Sequence, residues 1–176
     1  MEESSILLTL TQITVAFVGF SAIIATFQFK DGFTIKKSDA INLQFIVATG
    51  LVGTFFSLLP LMLSSFGLSN SMVWALSSGL GSLNYLGFIY YLSIKVKMSN
   101  FRRKKSKMIV WTYFLIGILI LILNLLNAFN ILFQREFGPY FVQLTYPLCL
   151  VGYFFTRLIF QPIWKSFKNK EPENLK

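Results

Sequence analysis

The sequence lacks histidine altogether and contains a single cysteine, Cys149. One cysteine cannot form a disulfide within the chain. None of the long apolar runs contains an aspartate or a glutamate. The residue clusters that bind zinc, and the histidine-centred triads of hydrolases, are therefore missing. The sequence predicts no metal, no cofactor and no enzymatic activity.

Charge is also scarce. Only 13% of the residues are charged, whereas 55% are hydrophobic and 17% are aromatic. A soluble domain has about a quarter of its residues charged. The mean hydropathy of +0.63 is that of a protein immersed in lipid. These values predict an integral membrane protein rather than a soluble domain.

The apolar residues fall into five runs, each long enough to cross the roughly 30 Å hydrocarbon core as an α-helix. The predicted fold is an all-α transmembrane bundle with a single domain over residues 1–164. A basic cytoplasmic tail follows at residues 165–176. The predicted spans are residues 6–29, 40–65, 71–94, 108–133 and 140–164.

The N-terminus does not have the features of a cleavable signal peptide. Glu2 and Glu3 are acidic where a signal peptide is basic, and the apolar run continues to about Phe29, beyond the usual length. We expect the first segment to remain in the mature protein.

The basic residues predict the orientation of the spans. Seven of the sixteen lie in the segment 95–107, which contains no acidic residue. Short loops rich in Lys and Arg stay in the cytoplasm. The alternation of charge between loops then places the N-terminus outside and the C-terminus inside. The expected location is the cytoplasmic (inner) membrane of a bacterium, with five crossings.

Amide side chains within the spans are the first candidates for function. Asn124 and Asn127 share one helix face, and Gln12 and Gln143 can join them across the bundle. Hydrocarbon offers polar groups no partner, so these side chains need one another or water. They are candidate lining residues of a hydrated path. The alternative is ordinary hydrogen bonding between helices, worth about 0.6 kcal/mol on average.

Basic side chains are the second group of candidates. Arg157 is the only charged residue within a predicted span, and Arg102, Arg103, Lys104 and Lys105 form the centre of the basic loop. They are candidate contacts for anionic lipid at the cytoplasmic face, or for another anion. The alternatives are extension of the Arg157 side chain to the interface and, for the loop, a role in topology alone. Nucleic acid is not an expected partner.

The second span contains Thr49, Gly53 and Ser57 at a spacing of four residues. This small-xxx-small pattern allows two helix backbones to approach closely. The three residues are predicted to form a helix-packing face.

The segment Val15–Ser21, with the sequence VAFVGFS, resembles a stretch found in small bacterial multi-pass membrane proteins. Some proteins of that kind serve as membrane components of phage-defence systems. The resemblance covers only this segment and implies no particular function for the chain.

Two functions remain open at the level of sequence. The first is an oligomeric channel or membrane-permeability component, formed by several copies of the chain. The second is a non-conducting anchor or regulatory subunit that recruits a cytoplasmic protein through the basic loop, as in a phage-defence system. The interior rich in amides and free of carboxylates favours the first.

Overall fold

The computed structural model describes residues 2–30, 37–98 and 104–168. These residues form five α-helices and no strand within the described ranges, which confirms the predicted all-α class. The helices are α1 (Glu2–Lys30), α2 (Lys37–Ser65), α3 (Asn70–Met98), α4 (Lys104–Ala128) and α5 (Phe137–Lys168).

Three stretches are long and apolar enough to cross a membrane among the described residues: Glu2–Thr26, Ala40–Ser65 and Phe137–Phe160. Phe114–Ala128 in α4 is a shorter apolar helical stretch. The chain therefore has the character of a membrane protein. The crossings by α3 and α4, and the orientation of the termini, stay predictions.

The chain divides into two compact units. The first comprises residues 1–57 and 145–176. Its apolar core is formed by Ile46, Val151 and Leu158, with partly buried side chains from α1, α2 and α5 packed around them. The rings of Phe17 and Phe155 meet edge to face, with their centroids 5.2 Å apart. In lipid, van der Waals packing between these side chains, rather than their removal from water, holds such helices together.

The second unit comprises residues 58–144. In it α3 packs against α4, and the first turns of α5 complete the core. Tyr140 is fully buried in this unit, and its ring lies 6.0 Å from that of Trp74. The buried polar residues of this unit are three serines and three amides: Ser77, Ser78, Ser82, Asn124, Asn127 and Gln143.

A local capping interaction marks the start of α3 in this unit. Ser69 accepts a hydrogen bond from the backbone N–H of Met72 at 3.4 Å, as an N-cap residue does. Gly67, just before it, has φ of +76°, a conformation that glycine adopts at little cost.

The predicted fourth span, residues 108–133, extends five residues beyond the end of α4. α4 ends at Ala128 although the next residues are apolar. Asn130 has φ of +60°, and the N–H groups of Asn130 and Ile131 donate to the carbonyls of Asn127 and Leu126. This is a Schellman motif, which terminates a helix. Hydropathy does not detect it, because Phe129, Ile131 and Leu132 continue the apolar run and lie exposed in the turn.

Candidate functional site

A buried asparagine fastens the end of α4 to the start of α5. The Nδ2 group of Asn127 donates hydrogen bonds to Ser78 Oγ and to the Glu136 carbonyl, both at 2.9 Å. The Glu136 N–H donates to Asn127 Oδ1 at 3.0 Å. The side-chain amide thus pairs with the N–H and the carbonyl of one residue, as the backbone of a neighbouring β-strand does in a sheet. The three bonds hold α3, α4 and the α4–α5 connection together.

Asn124 lies one helical turn before Asn127 and is also buried. Its Nδ2 group donates to the Ile120 carbonyl at 3.0 Å and to the Pro139 carbonyl at 3.4 Å. Pro139 is in the first turn of α5, where proline is tolerated because the N–H groups there have no partner within the helix. Asn124 therefore brings α4 against the beginning of α5.

Gln143 lies one turn after Pro139 on α5 and packs against Gly81 of α3. Its amide occupies the place that a Cβ atom on Gly81 would take. The hydroxyl of Tyr85, one turn along α3, donates to the Gln143 carbonyl at 3.1 Å. Gly81 is thus required for close approach of the α3 backbone to a polar side chain of α5.

Three oxygens in this cluster have no hydrogen-bond partner among the described residues: Ser77 Oγ, Asn124 Oδ1 and Gln143 Oε1. Ser77 lies one turn before Gly81, and Pro139, which binds Asn124, lies one turn before Gln143. The three residues therefore belong to neighbouring turns of α3, α4 and α5. We call Ser77, Asn124 and Gln143 the amide layer. An unpaired buried polar atom costs about 1–3 kcal/mol, and proteins normally offset that cost with ordered water.

The structure brings together three of the four residues predicted to line a path, namely Asn124, Asn127 and Gln143. Their exposed fractions are 1%, 0% and 2%. Gln12 is different, since it belongs to the first unit and its side chain is exposed.

The predicted packing face of α2 lies in the first unit. Ser57 is buried, whereas Thr49 and Gly53 are partly buried. A Cβ atom on Gly53 would lie 3.2 Å from Thr14 Cγ2 on α1. The hydroxyls of Thr14 and Thr54 are hydrogen-bonded at 3.0 Å beside it. Small residues thus allow α1 and α2 to meet closely here.

The predicted basic contacts have different positions. Arg157 lies on the exposed side of α5, three residues before the end of the candidate span Phe137–Phe160. Arg102 and Arg103 lie outside the described residues. Lys104 and Lys105 are in the first turn of α4, and their side chains lie outside the described part.

Sequence reasoning did not identify Gly81, Tyr85 or Glu136 as members of this site. The spacing of Ser77 and Gly81 marks a packing face, but it does not show that a glutamine will fill it. Glu136 and Pro139 contribute only backbone groups to the site. Every residue type has these groups, so the sequence does not show which residues will use them.

Comparison of the chain with protein-family models, with curated proteins and with solved structures finds no match. Both functions that the sequence leaves open, the channel and the anchor, therefore stay predictions.

Proposed function

We propose that the protein is an oligomeric channel, or membrane-permeability component, with the amide layer as part of its hydrated path. The observation that carries this proposal is the set of three buried oxygens without a partner among the described residues: Ser77 Oγ, Asn124 Oδ1 and Gln143 Oε1. Ordered water satisfies such groups in proteins. Water inside a membrane bundle is the first requirement of a permeation path.

The chemistry of the layer indicates what the path would carry. Its side chains are neutral amides and a hydroxyl, which replace part of an ion's hydration shell without binding it tightly. The span residues provide no carboxylate or histidine to carry a proton. We therefore propose passive permeation rather than proton-coupled transport, through five-span subunits that have the N-terminus outside and the C-terminus inside.

Ion flux across liposomes tests the proposal. Replacing Asn124 with Leu should reduce flux roughly tenfold, because apolar constrictions exclude water from pores. Ser77→Ala should reduce it less, since alanine leaves room for water. Thr26→Val is the matched control, because Thr26 is exposed and its hydroxyl bonds only within α1, to the Ala22 carbonyl. This control should conduct like the wild type.

Asn127 is kept unchanged in this experiment because its three hydrogen bonds hold α3, α4 and the α4–α5 connection together. Asn124→Leu removes one bond to α5, that to the Pro139 carbonyl, so its stability is measured as well. Each variant is compared at equal protein density after its thermal unfolding has been measured. Wild-type liposomes that do not conduct would overturn the channel. An Asn124→Leu protein that conducts normally would remove the amide layer from the path.

The second candidate is a non-conducting membrane anchor or regulatory subunit with a cytoplasmic protein partner. The bonding of Asn127 favours it, since both polar atoms of that amide serve to hold helices together. An anchor requires no flux in the wild type. Its function should instead depend on the charges of Arg102, Arg103, Lys104 and Lys105.

A further inference from the structure

Arg157 combines a full positive charge with an exposed position inside an apolar helix. It lies within the candidate span Phe137–Phe160, and α5 continues beyond that span to Lys168. A guanidinium is always charged in proteins, so it needs a counter-ion or water wherever the helix sits in lipid. It lies away from the buried face of α5, where Val151 and Leu158 are part of the apolar core.

The surroundings of Arg157 on the helix surface are those of a membrane interface. Tyr153 and Phe160 lie four residues before it and three residues after it, so they flank it on the same face. Both rings are more than half exposed, at 55% and 59%. Tyrosine is enriched at the membrane–water interface, so Tyr153 beside a basic side chain supports an interfacial position for Arg157.

The helix itself offers no negative partner for Arg157. α5 contains no aspartate or glutamate from Phe137 to Lys168. Glu2 and Glu3 start α1, and the contact of Phe17 with Phe155 places them about 20 Å away along the helix axis. Glu136 precedes α5 and lies about 30 Å from Arg157 along the axis of that helix. The other acidic residues of the chain are Asp31, Asp39, Glu171 and Glu173. Asp39 is the one to be tested, because it lies one turn before Leu43, which packs against the core that contains Leu158; its own side chain lies outside the described ones.

We infer that Arg157 binds the phosphate of an anionic phospholipid. The rings of Tyr153 and Phe160, on either side of Arg157 along the helix, would contact the same lipid. The guanidinium and phosphate are complementary in charge and in geometry, because the planar fork of arginine donates two parallel hydrogen bonds to phosphate oxygens. The site is independent of the amide layer, so it can be tested whether or not the protein conducts.

Native mass spectrometry with phosphatidylglycerol and phosphatidylcholine tests this inference. Arg157→Gln should weaken phosphatidylglycerol binding roughly fivefold, the effect of about one basic contact at a lipid surface. Phosphatidylcholine binding should not change. Arg157→Lys should lie between Arg157→Gln and the wild type, because lysine keeps the charge and loses the paired donors.

Two control variants distinguish a lipid site at Arg157 from an effect of net charge and from an ion pair within the chain. Lys176→Gln removes one positive charge at the C-terminus and should leave lipid binding unchanged. Asp39→Asn should also have no effect. Equal phosphatidylglycerol binding by the wild type and Arg157→Gln would overturn the inference. So would an equal loss in Lys176→Gln, which indicates net charge alone, or a gain in Asp39→Asn, which indicates the ion pair.

Discussion

Asn127 shows how one side chain can substitute for backbone structure at the end of a helix. Its amide has a donor and an acceptor at the separation of a peptide group, so it satisfies the N–H and the carbonyl of Glu136 together. Aspartate cannot do this because it has no donor when ionised. Glutamine has the same groups on a longer chain. Asparagine therefore suits position 127 because its amide reaches both the N–H and the carbonyl of Glu136.

Gly81 gives the clearest prediction at the residue scale. Gly81→Ala places a methyl group where the Gln143 amide lies, so overpacking should lower the free energy of unfolding by about 1–3 kcal/mol. Gly79→Ala is the matched control, because nothing lies within 4 Å of a Cβ atom there. It should be neutral or stabilising by up to about 1 kcal/mol.

Unfolding in detergent measures both variants. The double variant Gly81→Ala/Gln143→Ala should recover part of the loss, with a coupling energy of at least about 0.5 kcal/mol. Equal stability of Gly81→Ala and Gly79→Ala would contradict the close approach of α5 to α3.

At the scale of the element, the helices were predictable and some of their ends were not. Long apolar runs separated by charged or turn residues predict five helices, because lipid requires each crossing segment to satisfy its own backbone. The end of α4 depends instead on the positive φ of Asn130 and on hydrogen bonds to Leu126 and Asn127. Such local geometry leaves little trace in hydropathy.

The same limit applies to the candidate site. The three-residue spacing of Asn124 and Asn127 predicts that they share a face, and both are buried. Gln12 and Gln143 are the same residue type within predicted spans, so the sequence makes them equal candidates for lining a path. In the structure Gln12 is exposed and Gln143 is buried. The difference depends on which face of each helix meets a neighbour, and polarity alone does not encode that.

The pairing of α1 with α2 gives a prediction at the element scale. Gly53→Leu should force the helices apart at Thr14 and strain the Thr14–Thr54 hydrogen bond. We expect a loss of about 1–3 kcal/mol in the free energy of unfolding. Gly19→Leu introduces the same side chain at an exposed position with open space around it.

Thermal unfolding of the two leucine variants in the same detergent compares the two positions. The Gly19 variant should resemble the wild type. If both variants melt with the wild type, the Gly53 face does not support the α1–α2 contact.

At the scale of the whole molecule, charge determines what the helices do in a bilayer. Fourteen of the sixteen basic residues fall on one side in the five-span arrangement with the N-terminus outside. This excess should orient every copy in the same direction. An oligomer of such copies would be parallel, with every amide layer at the same depth.

Reporter fusions test this arrangement. Alkaline phosphatase, which is active only outside the cytoplasm, should be inactive when fused after Lys176. It should be active when inserted in the segment 66–70 between α2 and α3. A cytoplasmic fluorescent protein at the same two positions is the matched control and should give the reverse pattern. The opposite result would exclude the five-span orientation.

The exposed Cys149 provides an unmodified attachment point for spectroscopy. It is the only thiol in the chain, and it lies near the midpoint of the 24-residue candidate span Phe137–Phe160. A nitroxide spin label can be attached there without replacing any other cysteine first. Molecular oxygen concentrates at the centre of a bilayer, whereas polar nickel complexes remain in water. The ratio of their effects on the electron spin relaxation therefore measures the immersion depth of α5 in the native sequence.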